Sequence, residues 1–133
     1  MPESAPPSLA RKLGLREGSE VALVGAPEGF ELGPIPAGVT VRRSARARAD
    51  LTIWFVLTSA ELSRRIAAMA PRAARSGLWI AWPKRSSPLA SDLSDEVVRE
   101  AALANGLVDF KVCAVDADWS ALRFNLRAAP PLP

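Results

Sequence analysis

Residues 78–93 read LWIAWPKRSSPLASDL, and this stretch decides the fold. Residues 78–82, which carry Trp79 and Trp82, form an apolar strand that Pro83 ends, because its ring removes a ladder donor. A basic, hydroxyl-rich loop follows: Lys84, Arg85, Ser86 and Ser87. Ser94, with Asp95 and Glu96 behind it, then reads as the capped start of a helix. Strand, loop and helix in that order are the repeating parts of an open α/β sheet, where ligands sit past the carboxyl ends of strands. Lys84, Arg85, Ser86 and Ser87, with Trp82 as a wall, are therefore the first candidates for a ligand site.

Working outward, residues 51–57 (LTIWFVL) are almost continuously apolar, aromatic or β-branched, as in a central parallel strand covered on both faces. Thr58 and Glu61 match a capping box, and Leu62, Ile66 and Met69 form one inward helical stripe that Pro71 ends. Further upstream, Ser8 caps a short helix over 9–13 that Gly14 terminates, and residues 20–25 form the first strand. Residues 26–38 are too rich in Gly and Pro for a long helix and hold at most a turn near 28–32. A short strand over 39–42 belongs near a sheet edge.

Downstream, a helix packs through Val97, Val98, Ala101 and Ala104 and stops at Asn105-Gly106. The chain then reads as a hairpin. Val108, Phe110, Val112 and Ala114 alternate with Asp109, Lys111 and Cys113. In the second arm, Leu122, Phe124 and Leu126 alternate with Arg123, Asn125 and Arg127. The apolar set of each arm is expected to face the core. The predicted fold is a small α/β domain over 8–127: a Rossmann-like, mostly parallel sheet with flanking helices and a C-terminal antiparallel hairpin. A loose arm (1–7) and a proline-rich tail (128–133) flank it.

Composition limits the chemistry. In 133 residues there is no histidine and a single cysteine, Cys113, which excludes imidazole catalysis, an internal disulfide and a cysteine-rich zinc site. No metal and no cofactor are expected. Net charge is +3, and 17 basic residues face 14 acidic ones, too even a balance for a dedicated nucleic-acid binder. No apolar run approaches the roughly 20 residues of a membrane helix. The start, MPESAPPS, lacks the basic and apolar parts of a secretion signal, so a cytoplasmic protein is expected.

Two resemblances follow from these residues. The element order, with Asp50 opening the DLTIWFV strand and a hairpin closing the sheet, is similar to the second half of a class I methyltransferase. That resemblance implies a glycine-rich turn after strand one and an acidic residue at the end of strand two. Here the turn reads VGAPEGF, with Gly25 and Gly29 but no GxGxG, and strand two ends in Arg42-Arg43, so the cofactor site reads as degenerate. Second, KLGL, VALVGAPEGF, LWIAWPKRSS and GLVDFKVCAVDADWSALRF together resemble an uncharacterised bacterial family, the domain of unknown function numbered 3052, over nearly the whole chain. That resemblance implies no activity.

The functional candidates each carry a structural alternative. Backbone donors, hydroxyls and the Lys84 and Arg85 cations make an anion-binding setting; the alternative is a solvated loop whose path Trp82 and Pro83 fix. Gly25, Glu28, Thr58 and Glu61 are secondary candidates. If their strands are parallel, they open on the same sheet edge, and Lys84 with Glu28 or Glu61 becomes an acid/base set. Otherwise Glu61 only caps a helix and Glu28 is solvated. Trp54 and Trp79 read as core, while Trp119 reads as either pocket or interface. Cys113 beside Lys111 is either a reactive thiol or an inert small hydrophobe. Arg42, Arg43, Arg46 and Arg48 could grip phosphates but lack aromatic interleaving. The expected function is a non-catalytic small-molecule or anion-binding module, its partner a small anionic ligand. The alternatives are a small enzyme built on Lys84 and a module that holds a protein partner or a second copy of itself.

Overall fold

The computed structural model describes residues 8–44, 49–75, 77–89 and 91–126. The predicted arm 1–7 and tail 128–133 lie outside the described residues, as do Arg46, Arg48 and Arg127. Four parallel strands, β1 (Glu20–Val24), β2 (Thr40–Arg42), β3 (Leu51–Phe55) and β4 (Gly77–Pro83), join an antiparallel pair, β5 (Leu107–Ala114) and β6 (Trp119–Leu126). Their order across the sheet is β2-β1-β3-β4-β6-β5. From β1 the chain runs outward to β2 and returns on the other side as β3, so strand order reverses between β1 and β3. Such a reversal leaves a crevice past the carboxyl ends of the two strands.

The helices are α1 (Leu9–Leu13), α2 (Ser59–Met69), α3 (Arg72–Arg75) and α4 (Asp95–Ala104). Every residue of β3 and β4 is buried, as their unbroken apolar runs predict. Alternation along these strands divides the core. Trp54, Leu78, Ile80 and Trp82 pack with Leu62, Ile66 and Met69 of α2 and Val98 of α4. Ile53, Phe55, Trp79 and Ala81 pack on the opposite face with Ala10 and Leu13 of α1 and with Phe30 and Leu32.

The caps follow the sequence. Ser8, Thr58 and Ser94 accept hydrogen bonds from the amides of Arg11, Glu61 and Val97. Gly14 ends α1 in the left-handed conformation at φ +94°. Helix α3 was not expected; it starts just past Pro71, whose fixed φ suits the beginning of a helix. A single turn forms at 27–30, closed by the Phe30 amide on the Pro27 carbonyl at 3.0 Å, with Gly29 at φ +86°. In α4 the inward stripe is centred on Val98 and Ala102, and Ala104 is exposed.

The hairpin corrects a larger expectation. In β5 the residues Val108, Phe110 and Val112 are 38%, 52% and 70% exposed, whereas Leu107 and Cys113 are buried. Val108 precedes the irregularity and is exposed on the edge strand itself, but from Phe110 on a β-bulge changes the face: Asp109 faces Phe124, Lys111 faces Arg123, and Phe110 is the extra residue between them. One inserted residue reverses the parity of everything beyond it. Leu107 consequently joins the α4-side core while Cys113, six positions on, joins the α1-side core. β5 is also a sheet edge, where less is available to cover either face.

Candidate functional site

Past the carboxyl ends of β1 and β3, at the reversal of strand order, lies a crevice of about 390 Å³. Gly25, Glu28, Phe30, Leu57, Leu89, Asp116, Asp118 and Trp119 line it. Gly25 makes the geometry possible. Its φ is +72°, and a methyl group there would sit 2.7 Å from the Phe55 carbonyl oxygen, so only glycine lets the β1 turn pass this close to β3. Beneath, Phe30 meets Phe55 edge-on at 4.9 Å between ring centroids, and Phe55 meets Trp119 edge-on at 5.0 Å. Leu57 and Leu89, 43% and 40% exposed, stand at the rim.

Side chains and single main-chain bonds pin the surrounding loops. The Arg43 guanidinium donates to the carbonyls of Pro27 and Phe30, holding the turn after β1. The Asp116 carboxylate accepts from the amides of Asp118 and Trp119 at 2.8 and 2.9 Å, and the Lys84 amide donates to the Asp118 carbonyl at 2.7 Å. The Ser91 hydroxyl donates to the Leu57 carbonyl at 2.7 Å. The Asp92 carboxylate accepts from both the amide and the hydroxyl of Ser59, and these bonds hold its pKa below the ordinary aspartate value.

The candidates from the sequence fall into three places. Gly25 and Glu28 line the crevice. Trp82, Lys84 and Arg85 line a separate groove of about 320 Å³ with Leu93, Ser94, Asp95, Val112 and Ser120. Trp82 is itself only 5% exposed and packs into the core with Leu93 and Val98. Ser86 and Ser87 border neither cavity; the Ser87 amide closes a turn onto the Lys84 carbonyl, and its hydroxyl accepts from Leu89. Thr58 and Glu61 work at the start of α2: Thr58 caps the Glu61 amide at 3.1 Å, and Glu61 Oε1 accepts from the Leu57 amide at 3.3 Å. Of these two cavities, Lys84 lines the groove and Glu28 the crevice, and Glu61 lines neither.

Asp116, Asp118, Leu57 and Leu89 were not singled out from sequence. The Asp116-Ala-Asp118 run read as a hairpin turn, and nothing local shows that this turn closes over a crevice some 90 residues away from Gly25 in sequence. Cys113 is buried, and burial raises its thiol pKa against the lowering influence of Lys12, Lys111 and Lys84. Burial and the raised pKa both favour the inert alternative. Among the described residues, no cluster of three or more acidic or cysteine side chains could hold a metal, and no helix is long and apolar enough to cross a membrane.

The fold has a solved counterpart. A protein of the NADB-Rossmann superfamily from Streptococcus agalactiae superposes with a TM-score of 0.55 at 9% identity, over 99% of this chain and 73% of that one. The fold is Rossmann-like. Magnesium protoporphyrin IX methyltransferase from Synechocystis PCC 6803 matches at 13% identity over 72% of this chain and 53% of its own, with a TM-score of 0.44, too low to support any argument. No family model and no curated protein matches the chain.

The sequence resemblance to class I methyltransferases raises the question of adenosylmethionine, and the residues do not match the pattern which that resemblance implies. Where an acidic side chain after strand two would accept from the ribose, the chain has Arg43, already committed to the carbonyls of the β1 turn. The turn itself lacks the repeated glycines that admit a nucleotide.

Proposed function

We propose that this chain is a non-catalytic ligand-binding module that uses the crevice between β1 and β3 for a small apolar molecule, neutral or positively charged. The observation that carries this reading is the exposure of Leu57 and Leu89 at one rim over an aromatic floor, with Glu28, Asp116 and Asp118 beside them. Exposed apolar rims around a concave, partly polar site favour a ligand that covers them. Three carboxylates disfavour an anion there. An anion belongs instead to the second reading, the Lys84 groove, which Lys84 and Arg85 line together with Ser94 and Ser120. Asp95 at the same helix start opposes that reading. For an enzyme built on Lys84, the carboxylate that shares its groove is Asp95, and neither Glu28 nor Glu61 lines that groove. The sequence runs quoted above support placing the chain with the domain-of-unknown-function family 3052.

The test is a thermal-shift screen of aromatic amines, nucleosides, sugar phosphates and dicarboxylates against wild type, Leu57→Asp and Lys84→Ala. A ligand at ~100 times its dissociation constant adds about 2.7 kcal/mol of stability. Hits among the uncharged or cationic compounds, lost in Leu57→Asp and kept in Lys84→Ala, are the expected result. Hits confined to anions and lost in Lys84→Ala would move the site to the groove. A flat screen would remove small-molecule binding for these classes.

A further inference from the structure

At the opposite end of the sheet, by the amino ends of β1, β3 and β4, lies a cleft of about 460 Å³ into which Arg16 and Arg123 open. The Arg123 guanidinium lies in a slot between two glycines. A methyl group at Gly14 would stand 2.7 Å from its Nη1, and one at Gly77 2.6 Å from its Nη2. Gly77 has an ordinary φ, so what requires glycine there is the space, filled by Leu51 and this guanidinium. The Arg123 Nε is buried with no hydrogen-bond partner among the described residues, and neither Arg16 nor Arg123 forms an ion pair among them. The guanidinium is half-buried, with its carbon 5.5 Å from the Phe110 ring centroid, and its buried Nε still lacks an acceptor.

Neighbouring main-chain donors are already used. The amides of Gly14, Gly18, Ser19 and Gly77 donate to the carbonyls of Arg11, Ala37, Arg16 and Asp50. The two guanidiniums are then the strong donors that face the cleft. Burial pushes the Arg123 pKa down, and the charge of Arg16 pushes it the same way. A dianion between them would offset the repulsion between the two guanidiniums. Asp50 supplies the complement: its Oδ2 accepts from the Glu20 amide at 2.9 Å, leaving Oδ1 to accept from a ligand hydroxyl. Glu17, also at the cleft, repels a bare anion and suits a hydroxylated one.

We propose that this cleft is a second binding site, for a phosphate monoester of a small hydroxylated compound, with the phosphate held by Arg16 and Arg123 and a hydroxyl by Asp50. Guanidinium forks match phosphate geometry, and the volume suits a molecule of that size.

Isothermal titration of the full chain with glycerol 3-phosphate and with inorganic phosphate, at ionic strength held constant with chloride, tests it. Saturable binding is expected, at least tenfold tighter for glycerol 3-phosphate, and weakened at least tenfold in Arg16→Gln. Arg16 is exposed, so that variant keeps its fold even if Arg123→Met does not. Arg64→Gln on the outer face of α2 is the neutral control. No saturable binding, equal affinity for the two probes, or binding that survives Arg16→Gln and disappears in Lys84→Ala overturns the proposal.

Discussion

The two ends of the parallel strands are closed by different means. At the amino end the main chain does most of the work: Asp50 exchanges amide and carbonyl bonds with Glu20 and Gly77, Thr40 with Ser19, and Gly18 with Ala37. At the carboxyl end the loops are longer, and side-chain clamps hold most of them, Arg43 on the turn after β1, Ser91 on Leu57 and Asp92 on Ser59. Main-chain ladders form with the sheet and share its cooperativity, whereas exposed side-chain clamps open individually. The amino-end cleft is accordingly a slot built into the sheet. The carboxyl-end crevice can adjust its walls around a ligand without disturbing the core.

The largest effect expected from breaking this comparison is at Gly25. Gly25→Ala places a methyl group 2.7 Å from a main-chain oxygen of β3 at φ +72°, while Gly29→Ala has φ +86° but nothing within 4 Å. Gly29→Ala therefore carries only the left-handed cost of about 1–2 kcal/mol. Gly25→Ala adds the displacement of a buried strand and should lose about 3–4 kcal/mol in urea unfolding. Equal losses for the two variants would show that the β1 turn does not depend on its close approach to β3.

A second test compares two tryptophans, each with 0% exposure. Trp79 donates its Nε1 proton to the Leu13 carbonyl at 2.9 Å, tying α1 to the sheet, while Trp54 Nε1 has no partner among the described residues. Replacement by Phe removes similar volume at either position. Trp79→Phe also strands a buried carbonyl, whereas Trp54→Phe removes a donor that was already unsatisfied. Trp79→Phe should therefore be worse by about 1–3 kcal/mol. A difference near zero would mean that α1 is held by Leu13 and Ala10 packing alone.

The same contrast explains what could be read from the sequence. Strands β1, β3 and β4, the caps Ser8, Thr58 and Ser94, and the stripe Leu62–Ile66–Met69 are local patterns, and each forms as its residues dictate. The face of β5 differs from the alternation because two things leave no local signature: its place at the sheet edge, which exposes Val108, and the bulge at Phe110, which turns Cys113 inward. The sites are less legible still. Glu28 and Lys84 lie past the carboxyl ends of β1 and β4, yet they line different cavities, which nothing local in the sequence shows. Arg123 read as the wet face of a strand, and only the fold brings Gly14 and Gly77, separated by 63 positions, to either side of its guanidinium.

The smallest effect concerns the Asp92 clamp, and its sign follows from the hydrogen bonds. The Ser59 hydroxyl and amide both stabilise the carboxylate, so its pKa in the folded chain lies below the unfolded value. Its contribution is present in full above the ordinary aspartate range and is lost as pH falls through the folded pKa. The group is fully exposed, so solvent screens the effect and overall stability should barely move. The local signal should be clear. In an NMR titration the Ser59 amide should follow the Asp92 carboxyl, with a midpoint below that of a free aspartate. Asp92→Asn should abolish the step and speed hydrogen exchange in the 84–93 loop more than in β4. A midpoint at or above the free value would mean that the carboxyl end is not held by this clamp, leaving the Lys84–Asp118 main-chain bond to hold the loop and making the two ends of the sheet more alike than their hydrogen bonds suggest.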